Sequence, residues 1–221
     1  MTAKFIIDKK KSYAILTGDI VGSSKLNASQ RKKLLNSIRK TSKELRNLYK
    51  TIIPLDIDIF RGDSWQLLVT EPMSALRIAL FFRATLKSKM EIHGFDTKIF
   101  IGVGTIDSLN NKRVSLGNGQ AFLLSGRGLE KLNKNRLGID YPSYKKNDYL
   151  NLIFQLVDVL ASKWTVKQSI AIRGALNGWS QQKIAESWEG NRLTQQAVQK
   201  HLVSSHWFII ENVLKKIENE N

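Results

Sequence analysis

At 221 residues and 25.1 kDa, with 42% hydrophobic and 24% charged side chains, the chain is long enough to bury two modest cores and too apolar to be disordered along its length. It has no cysteine, which excludes a disulfide framework and any Cys-based zinc site, and His93, His201 and His206 are too scattered for a metal cluster. The net charge of +16 favours polyanionic partners such as nucleic acid, nucleotides or an anionic membrane.

The opening MTAKFIIDKKKSY holds only a three-residue apolar run, and IALFFRATL is short and interrupted by Arg83. Neither a signal peptide nor a membrane span is expected, and a cytoplasmic location follows from that reading. Ser12 to Thr17 reads as a buried strand, and Gly18 to Ser24 as a polar turn leading into a helix. Between Lys25 and Lys50 nine basic residues face a single acid, Glu44, while Leu34, Leu35, Ile38, Leu45, Leu48 and Tyr49 recur near helical spacing. The spacing predicts a helix with one buried face and a basic outer one, either simply solvated or in contact with a polyanion.

Ile52 to Phe60 and Trp65 to Thr70 predict a hairpin turning near Gly62, and Ala75 to Met90, with Pro72 near its first turn, predicts a second helix. Thr97 to Thr105 reads as the next strand. The order β-α-β-β-α-β predicts an α+β, ferredoxin-like domain: an antiparallel sheet with helices on one face. Gly117-Asn118-Gly119 opens a helix from Ala121 to Leu132, and a final strand is expected near Leu137 to Tyr141. The polar stretch around Pro142 marks a boundary, giving domains at 1–141 and 149–221 with a linker at 142–148. Beyond it four helices are expected: Tyr149 to Trp164, Thr165 to Leu176, Ser180 to Trp188, and Thr194 to the C-terminus.

In this topology Asp19, at the end of the first strand, and Asp63, at the hairpin tip, converge. Two carboxylates suit a hard divalent cation such as Mg²⁺ or Mn²⁺ that also takes phosphate oxygens, and Gly22, Ser23 and Ser24 offer backbone N–H groups to those phosphates. Asp residues equally serve as turn caps and hairpin supports, which is the plain alternative. Lys25, Arg61 and Arg113 are cations near enough in sequence to meet a polyphosphate. No GxxxxGK[ST] segment is present, which disfavours a P-loop nucleotidase.

The pieces GDIVGSSKL, FRGDSWQLLV, IGVGTID and LGNGQAFLLSGRGLEKL resemble the SatD-like family and, more distantly, class III nucleotide cyclases and related palm domains, over about residues 12–135. The resemblance implies metal binding by Asp19 and Asp63 with the backbone carbonyl of Ile20, and phosphate contact by Gly22, Ser23, Ser24 and Lys25. It also implies a transition-state role for Arg127. Two positions depart from the cyclase pattern: Leu123 stands where an Asn would be, and Ile59 where a base-reading Lys would be.

In the last part, Gly178, Ser180, Ile184, Ala185 and Trp188, followed by Thr194, Val198 and Leu202, give two short capped amphipathic helices. They resemble the helix-turn-helix of sigma-factor and response-regulator type, with Glu189 to Arg192 as the turn. Gln195, Gln196, Gln199 and Lys200 would then face DNA. A plain packing unit is the alternative. Trp207, Phe208, Ile209, Ile210, Val213 and Leu214 continue the last helix and suggest self-association as a homodimer. Three readings follow: a DNA-binding regulator whose cyclase-like domain binds a nucleotide and metal; a metal-dependent nucleotidyl cyclase or nucleotidyltransferase; and a scaffold whose basic helix binds nucleic acid.

Overall fold

A computed structural model describes residues 4–145, 147–188 and 193–219. Five strands, β1 (Tyr13–Ile20), β2 (Asp58–Phe60), β3 (Ser64–Val69), β4 (Thr97–Gly104) and β5 (Leu137–Asp140), form one sheet in the order β2-β3-β1-β4-β5. β1 lies at its centre, antiparallel to both β3 and β4. Its side chains are nearly all buried, as the apolar run YAIL requires of a strand covered on both faces.

Side-chain alternation along β1 divides the core. Ala14, Leu16 and Ile20 face α1 (Ala28–Leu48) and α2 (Ala75–Met90), within the main apolar cluster. Tyr13 and Ile15 face the other way, with Leu68 and with Ala121 and Phe122 of α3 (Gln120–Lys131). Helices therefore cover both faces, where the sequence reading expected one. The reason lies in small residues under α3: a Cβ at Gly102 would stand 2.3 Å from the Ala121 carbonyl oxygen, and one at Gly128 would stand 2.1 Å from the Phe100 ring. A second difference is β5, which pairs with β4 in parallel, so the sheet is mixed. That follows from α3 crossing the sheet between the two strands. The hairpin forms where expected, but β2 is only three residues long, and Ile52 to Ile57 is not strand.

The remaining helices are α4 (Asn147–Ser162), α5 (Val166–Leu176), α6 (Gln181–Glu186), α7 (Gln195–Ser204) and α8 (Trp207–Glu218). The long helix expected from Thr194 onward is broken. His206 adopts φ 58, and the Ser205 carbonyl accepts a hydrogen bond from the Trp164 indole at 3.2 Å. Trp207, Ile210 and Leu214 are consequently core residues, while Phe208 and Ile209 remain exposed. The expected turn from Glu189 to Arg192 lies outside the described residues.

The helices after residue 146 share the main apolar cluster with α1 and α2. Three polar ties reinforce that packing: Arg77 of α2 forks onto Glu218 of α8 at 2.6 and 2.7 Å, Arg173 of α5 meets Glu44 of α1 at 2.6 Å, and Arg83 of α2 meets Asp158 of α4 at 2.6 Å. Arg83 is fully buried and also forks onto Asp96 at 2.7 Å through both Nε and Nη2. Burial alone would lower its pKa, but the two carboxylates more than offset this and raise it. Among the described residues no helix is long and apolar enough to cross a membrane.

Candidate functional site

The site is set by cross-strand register. Gly18 pairs with Trp65 in the β1–β3 ladder, which brings Asp19 opposite Ser64, the residue after Asp63. A tight turn makes this possible: Arg61 and Gly62 both take positive φ, 49 and 87, so the hairpin reverses with Asp63 at its return. Gly18 is needed for a different reason. Trp65 lies fully buried against it and against Phe82 of α2, and a Cβ at position 18 would stand 2.3 Å from the indole.

Asp19 is half-buried, and Ser64 Oγ donates to its Oδ1 at 3.2 Å. Its carboxyl pKa is raised above the ordinary value. Burial is the largest cause and the neighbouring charge of Asp63 the next, outweighing the Ser64 and Ile20 hydrogen bonds and the charge of Lys98. The two predicted carboxylates are thus close enough to repel. Ile20 buries its side chain beneath the sheet, so only its backbone faces this site. Thr97 Oγ1 donates to the Asp19 carbonyl at 2.8 Å, fixing the backbone beside it.

The loop after β1 differs in detail from the expected phosphate cradle. Gly22, with φ 70, opens a separate single turn of 3₁₀ helix, Ser23–Lys25. α1 starts three residues later and is closed by its own capping box between Asn27 and Gln30. The phosphate-facing candidates are therefore in a tight turn ahead of the basic helix, because Asn27 already satisfies that helix's first N–H groups. Gly22 and Lys25 are exposed, and among the described residues the N–H groups of Gly22, Ser23 and Ser24 have no hydrogen bond within the chain.

Among the described residues no hydrogen bond or ion pair brings Arg127 to the pair. Ser125 faces the sheet, where its hydroxyl accepts from Thr17 at 2.8 Å; Arg127, two residues on and about 200° round the helix, is exposed on the outer side. Leu123 shares that outer side and is 51% exposed. Arg113 Nε lies 3.6 Å from the Asp58 carboxylate, and Arg61 is exposed at the hairpin tip. Ser64, Thr97 and Lys98 were not singled out by the sequence, although Ser64 could have been found from the hairpin register. Lys98 Nζ, which lowers the Asp19 pKa by its charge, is held by the Leu132 carbonyl at 2.7 Å.

On α7, Gln195, Gln196 and Lys200 are exposed, whereas Gln199 is half-buried and accepts a hydrogen bond from Gln181 of α6. α6 and α7 both pack on α5, and Ile184 presses so close to Gly174 that a Cβ there would meet it at 2.5 Å.

No protein-family model matches the chain, and no curated protein matches it. Among solved structures it is similar to the guanylyl cyclase Cya2, at 17% identity with a TM-score of 0.45, over 58% of this chain and 74% of that one. It is also similar to a bacterial light-regulated adenylyl cyclase, at 19% identity with a TM-score of 0.44, over 58% of this chain and 75% of that one.

Proposed function

We infer that the sheet-edge site of Asp19 and Asp63 binds a nucleotide together with a divalent cation, Mg²⁺ or Mn²⁺, as in a nucleotidyl cyclase or nucleotidyltransferase. The observation that supports this best is the raised pKa of Asp19 beside Asp63: the fold holds two carboxylates near each other where, among the described residues, neither forms an ion pair. Such a pair is costly without a cation and suited to one. The donor set of two carboxylates and the Ile20 carbonyl consists of hard oxygens, which fits either metal.

A bound cation would supply charge neutralisation for a polyphosphate. The chain's own residues do the rest. Ser64 orients Asp19, Thr97 fixes its backbone, and the unbonded N–H groups of Gly22, Ser23 and Ser24 donate to phosphate oxygens, with Lys25 at the end of that turn. The strand order β2-β3-β1-β4, antiparallel throughout, supports the ferredoxin-like arrangement shared by cyclase and palm domains. The resemblance to SatD-like sequences is consistent with this site. Incubation with each nucleoside triphosphate and Mn²⁺, followed by chromatography, tests for turnover. A cyclic or linked product lost in Asp63→Asn supports the enzyme, while binding without product identifies a nucleotide sensor.

A second reading has its own observation. The exposed Gln195, Gln196 and Lys200 stand on a Thr194-capped helix braced by α5 and α6, the chemistry a major-groove helix needs. We read residues 149–221 as a helix-turn-helix unit that binds DNA, following a nucleotide-binding unit at 1–141, with the chain acting in the cytoplasm. Selection from genomic fragments should enrich sites whose binding is lost in Gln196→Ala; recovery of random sequence alone contradicts it.

A further inference from the structure

The basic face of α1 does not simply meet solvent. With the C-terminal end of α2 and with α5 it walls a groove of about 610 Å³, lined by Lys32, Lys33 and Lys40 along one side, by Ser37 and Ser88, and by Ser187 just beyond α6. The nearby acids do little to neutralise it. Glu44 is taken by Arg173, and Asp56 by Arg46 at 3.0 Å. Glu91, the one carboxylate among the described lining residues, stands 3.9 Å from Lys33 with both side chains largely exposed. From Ser29 to Asn47 every exposed side chain of α1 is polar or basic.

We propose that this groove seats the phosphate backbone of duplex DNA. Its chemistry selects among polyanions. An anionic membrane would meet these lysines by charge alone, since the exposed positions from Ser29 to Asn47 add no apolar side chain to insert. Single strands are held by stacking on aromatic rings, and among the described residues no aromatic side chain lines the groove. The groove presents a row of ammonium groups with serine and asparagine donors between them, suited to phosphate oxygens and not to base edges. Lys32 and Lys40 are separated by roughly 12 Å along the helix axis, enough to follow several phosphates. This site is independent of Asp19 and Asp63, and independent of whether α7 reads bases.

The test is fluorescence anisotropy on the full chain with a random-sequence duplex of about 30 base pairs, titrated between about 50 and 200 mM salt. If three phosphates are contacted, the wild type should lose about 40-fold more affinity across that range than the Lys32→Ala/Lys33→Ala/Lys40→Ala variant. The corresponding triple Lys→Arg variant should retain binding and salt dependence, and Asp19→Asn should leave both unchanged. Thermal melts of each variant separate lost binding from lost folding. Identical salt dependence in the Ala variant and the wild type overturns the proposal. So does lysine-dependent binding that is as tight for a single strand, for duplex RNA or for anionic vesicles as for duplex DNA.

Discussion

Two pairs of carboxylates, Asp96 with Asp158 and Asp19 with Asp63, follow opposite rules. Asp96 and Asp158 surround the buried guanidinium of Arg83, with Lys87 Nζ adding a contact to Asp96 at 3.2 Å. Burial pushes Asp96 up, but the hydrogen bond and charge of Arg83 outweigh it, and the carboxyl pKa is held below the ordinary value. Among the described residues Asp19 has no such partner, and burial and Asp63 together push it up. The first pair is neutralised by the chain itself and belongs to its architecture. The second is not neutralised in this way, and it is the pair proposed above to hold a cation. The two are neighbours, since the Val21 N–H next to Asp19-Ile20 donates to the Asp96 carbonyl at 3.0 Å.

Removing the cation between the first pair should have the largest effect. Arg83→Ala leaves two buried carboxylates without the guanidinium they share, with only Lys87 still facing Asp96, and should cost about 3–5 kcal/mol of stability in urea denaturation, enough to unfold a marginal domain. Gly18→Ala comes next. Its Cβ must displace Trp65 or shift β1 away from β3, and overpacking of this kind costs about 1–3 kcal/mol. Because β1 carries Asp19, that variant should also weaken metal binding, which calorimetric titration with Mn²⁺ would read.

The pH dependence of the two pairs should differ in sign. With its folded pKa below the unfolded 3.8, Asp96 contributes stability above that value that is lost as pH falls through the folded one. With its folded pKa above 3.8, Asp19 disfavours the fold at neutral pH, and this penalty fades as pH falls through the raised value. Asp19→Asn should therefore melt slightly higher than wild type at neutral pH without metal, and the gap should close in acid. A lower melting temperature for Asp19→Asn at neutral pH would show that the carboxylate is structurally paired after all.

Much of this contrast could be read from the sequence, and the part that could not has a physical cause. The strand ending in Asp19 and the hairpin carrying Asp63 were legible from apolar runs and from Gly62, because local rules fix both. Arg83 registered only as an interruption of an apolar run. Its partners, Asp96 and Asp158, lie 13 and 75 residues away, and local periodicity says nothing about such pairings. The second helical face was hidden for a similar reason, since Gly102 and Gly128 reveal their purpose only once α3 lies over β4. The break at His206 was masked by continuous helical periodicity on either side; the Ser205 carbonyl there accepts from Trp164, 41 residues away, a pairing that periodicity does not reveal.

The most direct measurement is a thermal-shift comparison of wild type, Asp19→Asn and Asp63→Asn with nucleoside triphosphates, in the presence and absence of Mg²⁺ or Mn²⁺. A ligand that binds only the folded state, at a hundredfold excess over its Kd, stabilises by about 2.7 kcal/mol, which is easily seen as a rise in melting temperature. The expected result is a rise in the wild type that requires both nucleotide and metal and disappears in each variant. A wild type that does not shift, or variants that shift equally, would contradict a nucleotide–metal site at the Asp19–Asp63 pair.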